Sequence, residues 1–70
     1  MTSEMQITLN GEGRAFPAGT TLHGLRQALN LEPERVAIEL NRVIVRRDLW
    51  GATVVESGAE IEIVMFVGGG

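Results

Sequence analysis

The chain contains no cysteine and only one histidine among its 70 residues, which restricts how so short a protein can be held together. Domains of this size often depend on disulfides or on a bound metal. This composition allows neither a disulfide framework nor a structural zinc site. The chain must therefore fold around an apolar core, and its 44% of hydrophobic residues suffice for one. We expect a single domain, because the length leaves no room for a second core.

Charge and hydropathy narrow the range of partners. Nine acidic residues stand against six arginines, and the net charge is −3. Nucleic-acid binding needs a basic face, so we expect no nucleic-acid partner. No apolar run approaches the roughly 18 residues of a membrane span, and the polar N-terminus is unlike a signal peptide. The composition thus favours a cytoplasmic protein that does not bind membranes.

The first third of the chain predicts a hairpin followed by a helix. Apolar and polar residues alternate over residues 5–10, as in a strand with one buried face. Asn10-Gly11 is a strong hairpin signal, and residues 14–16 can return as a second strand. Thr20 or Thr21 then caps a helix of about three turns, which Pro33 prevents from continuing. Its apolar stripe consists of Leu22, Leu25 and Leu29, with Ala28 able to join.

The rest of the chain predicts three more strands, over residues 36–40, 43–45 and 60–67. One helix can cover only one face of a sheet, so the other face is solvated. The last strand can lie beside the first, in the middle of a mixed sheet. We therefore predict an α+β fold of the ubiquitin-like β-grasp type over residues 1–67, with a mixed four- to five-stranded sheet packed on one helix. A flexible Gly-Gly-Gly tail follows at residues 68–70.

Few side chains are suited to catalysis. His23 is the only histidine, and we expect it to be a solvated residue of the helix. Glu60 and Glu62 share one strand face, but paired acids need a cleft around the substrate, so a charged solvent face is expected. Residues 46–52 predict a turn or a single helical turn, in which Trp50 covers an edge of the core rather than stacking a ligand. No catalytic residue and no metal site are expected.

The last strand places large apolar residues on the solvated face. Val64 and Phe66 point outwards if the alternate residues face the helix, and they form a candidate patch for a partner. The alternative is that they cover an apolar residue of a neighbouring strand, such as Ile44. Arg46 and Arg47 are a second candidate partner contact, or an ordinary solvated pair. The residues predicted to face the helix are Ile61, Ile63, Met65 and Val67.

The three terminal glycines are poorly suited to ordered structure but well suited to serve as a substrate. Glycine loses the most backbone entropy on ordering, and without a Cβ it can thread a narrow channel. The carboxylate of Gly70 can attack the α-phosphate of ATP and become an acyl adenylate, which is then open to a sulfur nucleophile. A frayed chain end is the alternative.

The sequence resembles the ThiS family, the sulfur carrier proteins of thiamine biosynthesis and relatives of ubiquitin. Arg46 and Ala59 depart from the pattern, since many members have proline at the first position and aspartate at the second. The matching residues are Met5-Gln6-Ile7, Leu40-Asn41, Val43/Ile44-Val45, Arg47, Trp50, Gly58, Ile61-Glu62-Ile63-Val64 and Val67-Gly68-Gly69-Gly70.

The resemblance implies a carrier rather than an enzyme, with no bound cofactor. An E1-like adenylating enzyme would use ATP with Mg to activate Gly70. A sulfur donor, such as a cysteine desulfurase, would convert the adenylate into a thiocarboxylate for thiazole synthase. Gly68 and Gly69 would thread into the partner, and Phe66 and Val67 would belong to the docking strand. Two alternatives remain open, namely the small subunit of molybdopterin synthase and a ubiquitin-like protein modifier; an interaction module, such as an RNA-binding domain, is disfavoured by the acidic pI.

Overall fold

The computed structural model describes residues 3–66, and within them five strands form one mixed sheet beside a single α-helix. The strand order is β2-β1-β5-β3-β4, with β5 parallel to β1 and antiparallel to β3. The last strand therefore lies in the centre beside the first, as predicted. The elements are β1 (Glu4–Leu9), β2 (Glu12–Pro17), α1 (Leu22–Ala28), a 3₁₀ helix (Pro33–Arg35), β3 (Val36–Leu40), β4 (Val43–Val45), a second 3₁₀ helix (Arg47–Ala52) and β5 (Glu60–Met65).

Two tight turns set the register of the two hairpins. Asn10 and Gly11 have φ of 50° and 84°, and Leu9 pairs with Glu12 across them. Asn41 and Arg42 repeat this arrangement between β3 and β4, with φ of 52° and 70°. Positive φ at both central residues defines the turn whose twist suits a two-residue hairpin. The turn predicted at Asn10-Gly11 is confirmed.

The side chains of the asparagines in these turns also hydrogen-bond to the central strand, β5. The Oδ1 atom of Asn10 accepts a hydrogen bond from the Ile63 amide at 2.8 Å. The Oδ1 atom of Asn41 accepts one from the Glu60 amide at 2.9 Å. Each side chain therefore satisfies a β5 donor just where the neighbouring strand turns away, and β5 is held from both sides.

We expect Asn10→Gly to lower the free energy of unfolding by about 1 kcal/mol, because glycine keeps the left-handed turn but leaves the Ile63 amide without its acceptor. Urea unfolding measures the change. Asn30→Gly is the matched control, since Asn30 also has positive φ (58°) but its side chain makes no hydrogen bond with residues 3–66. Equal effects of the two substitutions would contradict a role for the Asn10 side chain.

The helix begins as predicted and ends earlier. The Oγ1 atom of Thr21 accepts a hydrogen bond from the Gly24 amide at 3.0 Å, which identifies Thr21 as the N-cap. The helix has seven residues, about two turns rather than three. Asn30 reverses the chain in the left-handed conformation, and the Leu31 amide bonds back to the Arg26 carbonyl, as in a Schellman motif. Leu29 still packs on the core from the cap position, whereas Ala28 is exposed.

The core lies between the helix and one face of the sheet. Leu22 and Leu25 supply the helix side, and Trp50 closes one margin, with its Nε1 donating to the Val45 carbonyl at 2.9 Å. Trp50 is thus a core residue, as predicted. No helix within residues 3–66 is long and apolar enough to cross a membrane. The other buried apolar residues are Met5, Ile7, Leu9, Phe16, Val36, Ile38, Val55, Ala59 and Ile61.

The predicted helix-facing side of β5 is not covered along its whole length. Met65 was expected to face the helix with Ile61 and Ile63, and 58% of it is exposed. It pairs with Val36 of β3 on one side. On its other side β1 has already ended, because Leu9 lies beside Ile61. The strand therefore runs beyond the part of the sheet that the core covers. Val67, the last residue predicted for this face, lies outside the described residues.

Candidate docking face

The face of the sheet opposite the helix is open, and its composition changes along β5. Val64 lies beside Ala37 of β3, and Glu62 lies beside Glu39. Ile44 of β4 lies on the other side of Glu39. Acidic side chains therefore occupy the middle of the open face, and apolar ones occupy the end at which β5 stops.

Val64 and Phe66 are exposed to 52% and 59%, in agreement with the outward orientation predicted for them. The Phe66 amide donates to the Arg35 carbonyl at 2.8 Å, so pairing with β3 continues to the last described residue. The alternative that they cover Ile44 is not supported, because β3 separates β5 from β4 and Ile44 is itself 66% exposed. The apolar end of β5 is thus open to a partner.

The predicted basic pair lies at this same end of the sheet. Strand β4 is antiparallel to β3, and β3 is antiparallel to β5, so β4 and β5 run in the same direction. Arg46 follows β4 directly and therefore belongs to the end where Val64 lies. It forms an exposed ion pair with Asp48, with Nε and Oδ1 3.4 Å apart. Arg47 makes no ion pair within residues 3–66.

His23 and Glu60, two side chains considered for catalysis from the sequence, lie apart in the structure. His23 lies on the helix, where its Nδ1 is 3.0 Å from a terminal nitrogen of Arg26. Glu60 lies on the opposite face of the sheet and pairs with Arg42 at 3.5 Å. The sheet therefore lies between His23 and Glu60. Across the part of the chain that is described, no three histidine, aspartate or glutamate residues cluster as a metal site would require.

A shallow pocket of about 380 Å³ lies elsewhere, at the end of the sheet opposite the exposed end of β5. Its polar residues include Glu56 and Ser57, but the Ser57 hydroxyl is engaged with the Gln6 amide at 3.2 Å. Within residues 3–66 no side-chain base is hydrogen-bonded to this serine, so it lacks the partner that activates a nucleophile.

Sequence reasoning missed Arg35, Ala37 and Glu39 as parts of the open face. They neighbour the last strand only because of the β3–β5 register, in which Val36 pairs with Met65. Their alternation with Val36 and Ile38 was a usable signal for an outward orientation. The remaining predicted site residues, Val67, Gly68, Gly69 and Gly70, lie outside the described residues.

Comparison with known proteins relates the chain to one family. The model of the ThiS family matches residues 7–70. Over 66 residues the chain is 48% identical to a thiazole synthase of Magnetococcus marinus, covering 94% of this chain but 20% of that protein. It is 32% identical to the sulfur carrier protein ThiS of Escherichia coli, covering 94% of this chain and all of that protein.

A solved structure supports the same assignment. The crystal structure of the thiamine biosynthesis protein ThiS from Geobacter metallireducens superposes with a TM-score of 0.82 at 32% identity. The match covers 94% of this chain and 100% of that one. Fold, family match and full-length relatives agree, and the chain belongs to the ThiS family of sulfur carrier proteins.

Proposed function

We propose that this chain carries sulfur for thiamine biosynthesis as a thiocarboxylate on Gly70. The observation that carries the proposal is the exposed apolar end of β5, where Val64 and Phe66 lead within four residues to the glycine terminus. A partner that binds this end receives the glycines in its own active site. The carrier then needs no catalytic group, and its family membership supports this role.

The chemistry takes place at one carboxylate. An oxygen of the Gly70 carboxylate attacks the α-phosphorus of ATP and expels pyrophosphate, which leaves an acyl adenylate. A persulfide of the sulfur donor attacks the acyl carbon and expels AMP. A thiol then reduces the resulting acyl disulfide, leaving the thiocarboxylate on Gly70 and a disulfide on the donor side. An E1-like adenylating enzyme holds ATP and Mg for the first step, so the carrier itself binds no cofactor.

Thiazole synthase is the proposed acceptor. The Magnetococcus marinus relative bears that name and contains a region similar to this chain, which covers about a fifth of its length. When a carrier-like region and an acceptor belong to one polypeptide, the covalent link raises the effective concentration of each for the other. Such a link is expected between regions that act on each other. Val64, Phe66 and Val67 would dock, with Arg46 and Arg47 beside them, and Gly68 and Gly69 would enter the synthase. A cytoplasmic location stays a prediction.

Incubation with the activating enzyme, ATP, Mg and a sulfur donor should raise the mass of the chain by the difference between sulfur and oxygen. Fragmentation should place the change on Gly70. The side chains offer no other acceptor of this kind, since there is no cysteine to hold a persulfide and no lysine to be acylated.

The matched control is the same protein extended by one alanine after Gly70, which moves the carboxylate off the glycine. It should take up no sulfur. Sulfur found elsewhere on the chain, or uptake by the extended protein, would overturn the proposal. A thiocarboxylate that serves molybdopterin synthase but not thiazole synthase would keep the chemistry and change the pathway.

A further inference from the structure

The central strand has an open edge near its C-terminal end. Strand β1 is paired with β5 only as far as Leu9 beside Ile61, and the chain then turns at Asn10 and Gly11. Strand β5 continues to Met65, paired on its other side with β3. On the side of β1, no strand of residues 3–66 therefore pairs with residues 63–66. This unpaired side of residues 63–66 is the open edge.

The backbone groups that point towards the open edge can be identified from the hydrogen bonds. The carbonyls of Ala59 and Ile61 accept from β1-side amides at 2.9 Å, and the Ile63 amide donates to Asn10. Glu60 and Phe66 bond towards β3 instead. The backbone N–H and C=O groups of the odd-numbered residues of β5 thus point towards β1. Met65 is the next of them, so by this alternation its N–H and C=O point away from β3 and towards the open side.

The side chains around this open edge do not protect it. Edge strands are normally blunted by charges, proline or short length. The outer edge strand β2 contains Glu12, Arg14 and Pro17, and the other outer edge, β4, has only three residues. Residues 63–66 carry no charge and no proline, and Val64, Met65 and Phe66 are each more than half exposed. This is the segment of the sheet best suited to accept another strand.

We infer that an extended segment of thiazole synthase adds as a strand to this open edge, hydrogen-bonding to Met65, when the tail is delivered. The inference rests on the proposed function. Such strand addition supplies main-chain hydrogen bonds, and flanking pockets read alternate side chains. Val64 and Phe66 belong to the docking face, and Met65 lies on the other side of the strand. One partner can therefore use the edge and the face together.

A second copy of the chain fits this edge less well. Pairing residues 63–66 of two copies buries four residues on each side, whereas stable interfaces usually involve roughly 20–30 residues a side. The synthase can bury the edge together with the docking face and the tail. The segment that pairs with Met65 is accordingly placed on the synthase.

Two substitutions separate the Met65 backbone from its side chain. Met65→Pro removes the N–H that faces the open edge, and Met65→Ala keeps it while shortening the side chain. Both should unfold near the wild-type midpoint, because the Met65 N–H points away from β3 and its loss leaves the β3–β5 pairing in place. Met65→Pro should bind thiazole synthase at least about tenfold more weakly than Met65→Ala, because it blocks the added strand. Phe66→Pro is the contrasting control, since its N–H bonds to Arg35 and its loss should lower stability.

Amide hydrogen exchange on the unaltered protein tests the same contact without a substitution. The Met65 amide should exchange rapidly in the free carrier and at least about tenfold more slowly with saturating thiazole synthase. Equal synthase affinity of Met65→Pro and Met65→Ala, or an unprotected Met65 amide in the complex, would overturn the inference but leave the carrier function intact. Protection that appears with rising carrier concentration alone would also overturn it, by identifying a second copy as the occupant. Failure of the wild-type carrier to bind the synthase would count against both proposals.

Discussion

Leu25→Ala should lower the free energy of unfolding by about 2–5 kcal/mol, the usual cost of truncating a buried leucine. Leu25 is fully buried between the helix and the sheet. A chain of 70 residues has roughly 4–10 kcal/mol of net stability. The substitution therefore removes about half of it, and a marked drop in melting temperature is expected. Urea unfolding followed by the fluorescence of Trp50, the only tryptophan, measures the change.

Leu49→Ala provides the matched control, because Leu49 lies in the second 3₁₀ helix with half of its surface exposed. It should cost much less, since less apolar surface returns to water. Similar losses for the two leucines would show that burial in this fold does not follow the helix stripe.

Turns and strand types follow from short-range chemistry and could be predicted. Asn-Gly suits two consecutive residues with positive φ, and the structure has that turn. Helix length was harder to predict, because apolar spacing does not end where the hydrogen bonding ends. Leu29 packs on the core from the C-cap, so the leucine stripe outlasts the helix by one residue. The predicted three turns counted residues that contact the core without being helical.

Alternation predicts which way a side chain points, but not whether anything covers it. The pattern of β5 correctly directed Ile61 into the core. The pattern did not predict that Met65 is exposed, because burial at that position depends on where β1 ends. The end of β1 is set by the pairing of Leu9 with Ile61. Such register is a property of the assembled sheet. The open edge could not be predicted for the same reason, because it depends on the register between strands and not on one stretch of sequence.

The candidate site was predictable where it depends on one strand and not where it depends on three. Val64 and Phe66 could be assigned to the open face from β5 alone. The positions of Ala37 beside Val64, and of Ile44 two strands away, require the sheet order. The like charges of Glu39 and Glu62 also meet only through this register, where directly opposed acids are unfavourable. The face is therefore not arranged for stability alone, which agrees with a surface that binds a partner.

Phe66→Ala should weaken binding to the activating enzyme by about 30-fold or more, the effect of losing a hot-spot aromatic. The same substitution should change the free energy of unfolding by less than about 1 kcal/mol, because Phe66 is 59% exposed and its backbone bond to Arg35 is retained. The dependence of pyrophosphate exchange on carrier concentration measures the affinity, and urea unfolding measures the stability.

Val43→Ala is the control for Phe66→Ala, because it also removes an exposed apolar side chain. Val43 is 64% exposed but begins β4, at the end of the sheet away from Phe66. It should leave both affinity and stability nearly unchanged. A loss of about 3–5 kcal/mol of stability in Phe66→Ala would instead identify Phe66 as a core residue, and its outward orientation would be wrong. Unchanged affinity in a stable Phe66→Ala protein would place the docking contact elsewhere on the carrier. Weakened affinity in both variants would mean that apolar exposure in general, rather than the end of β5, governs binding.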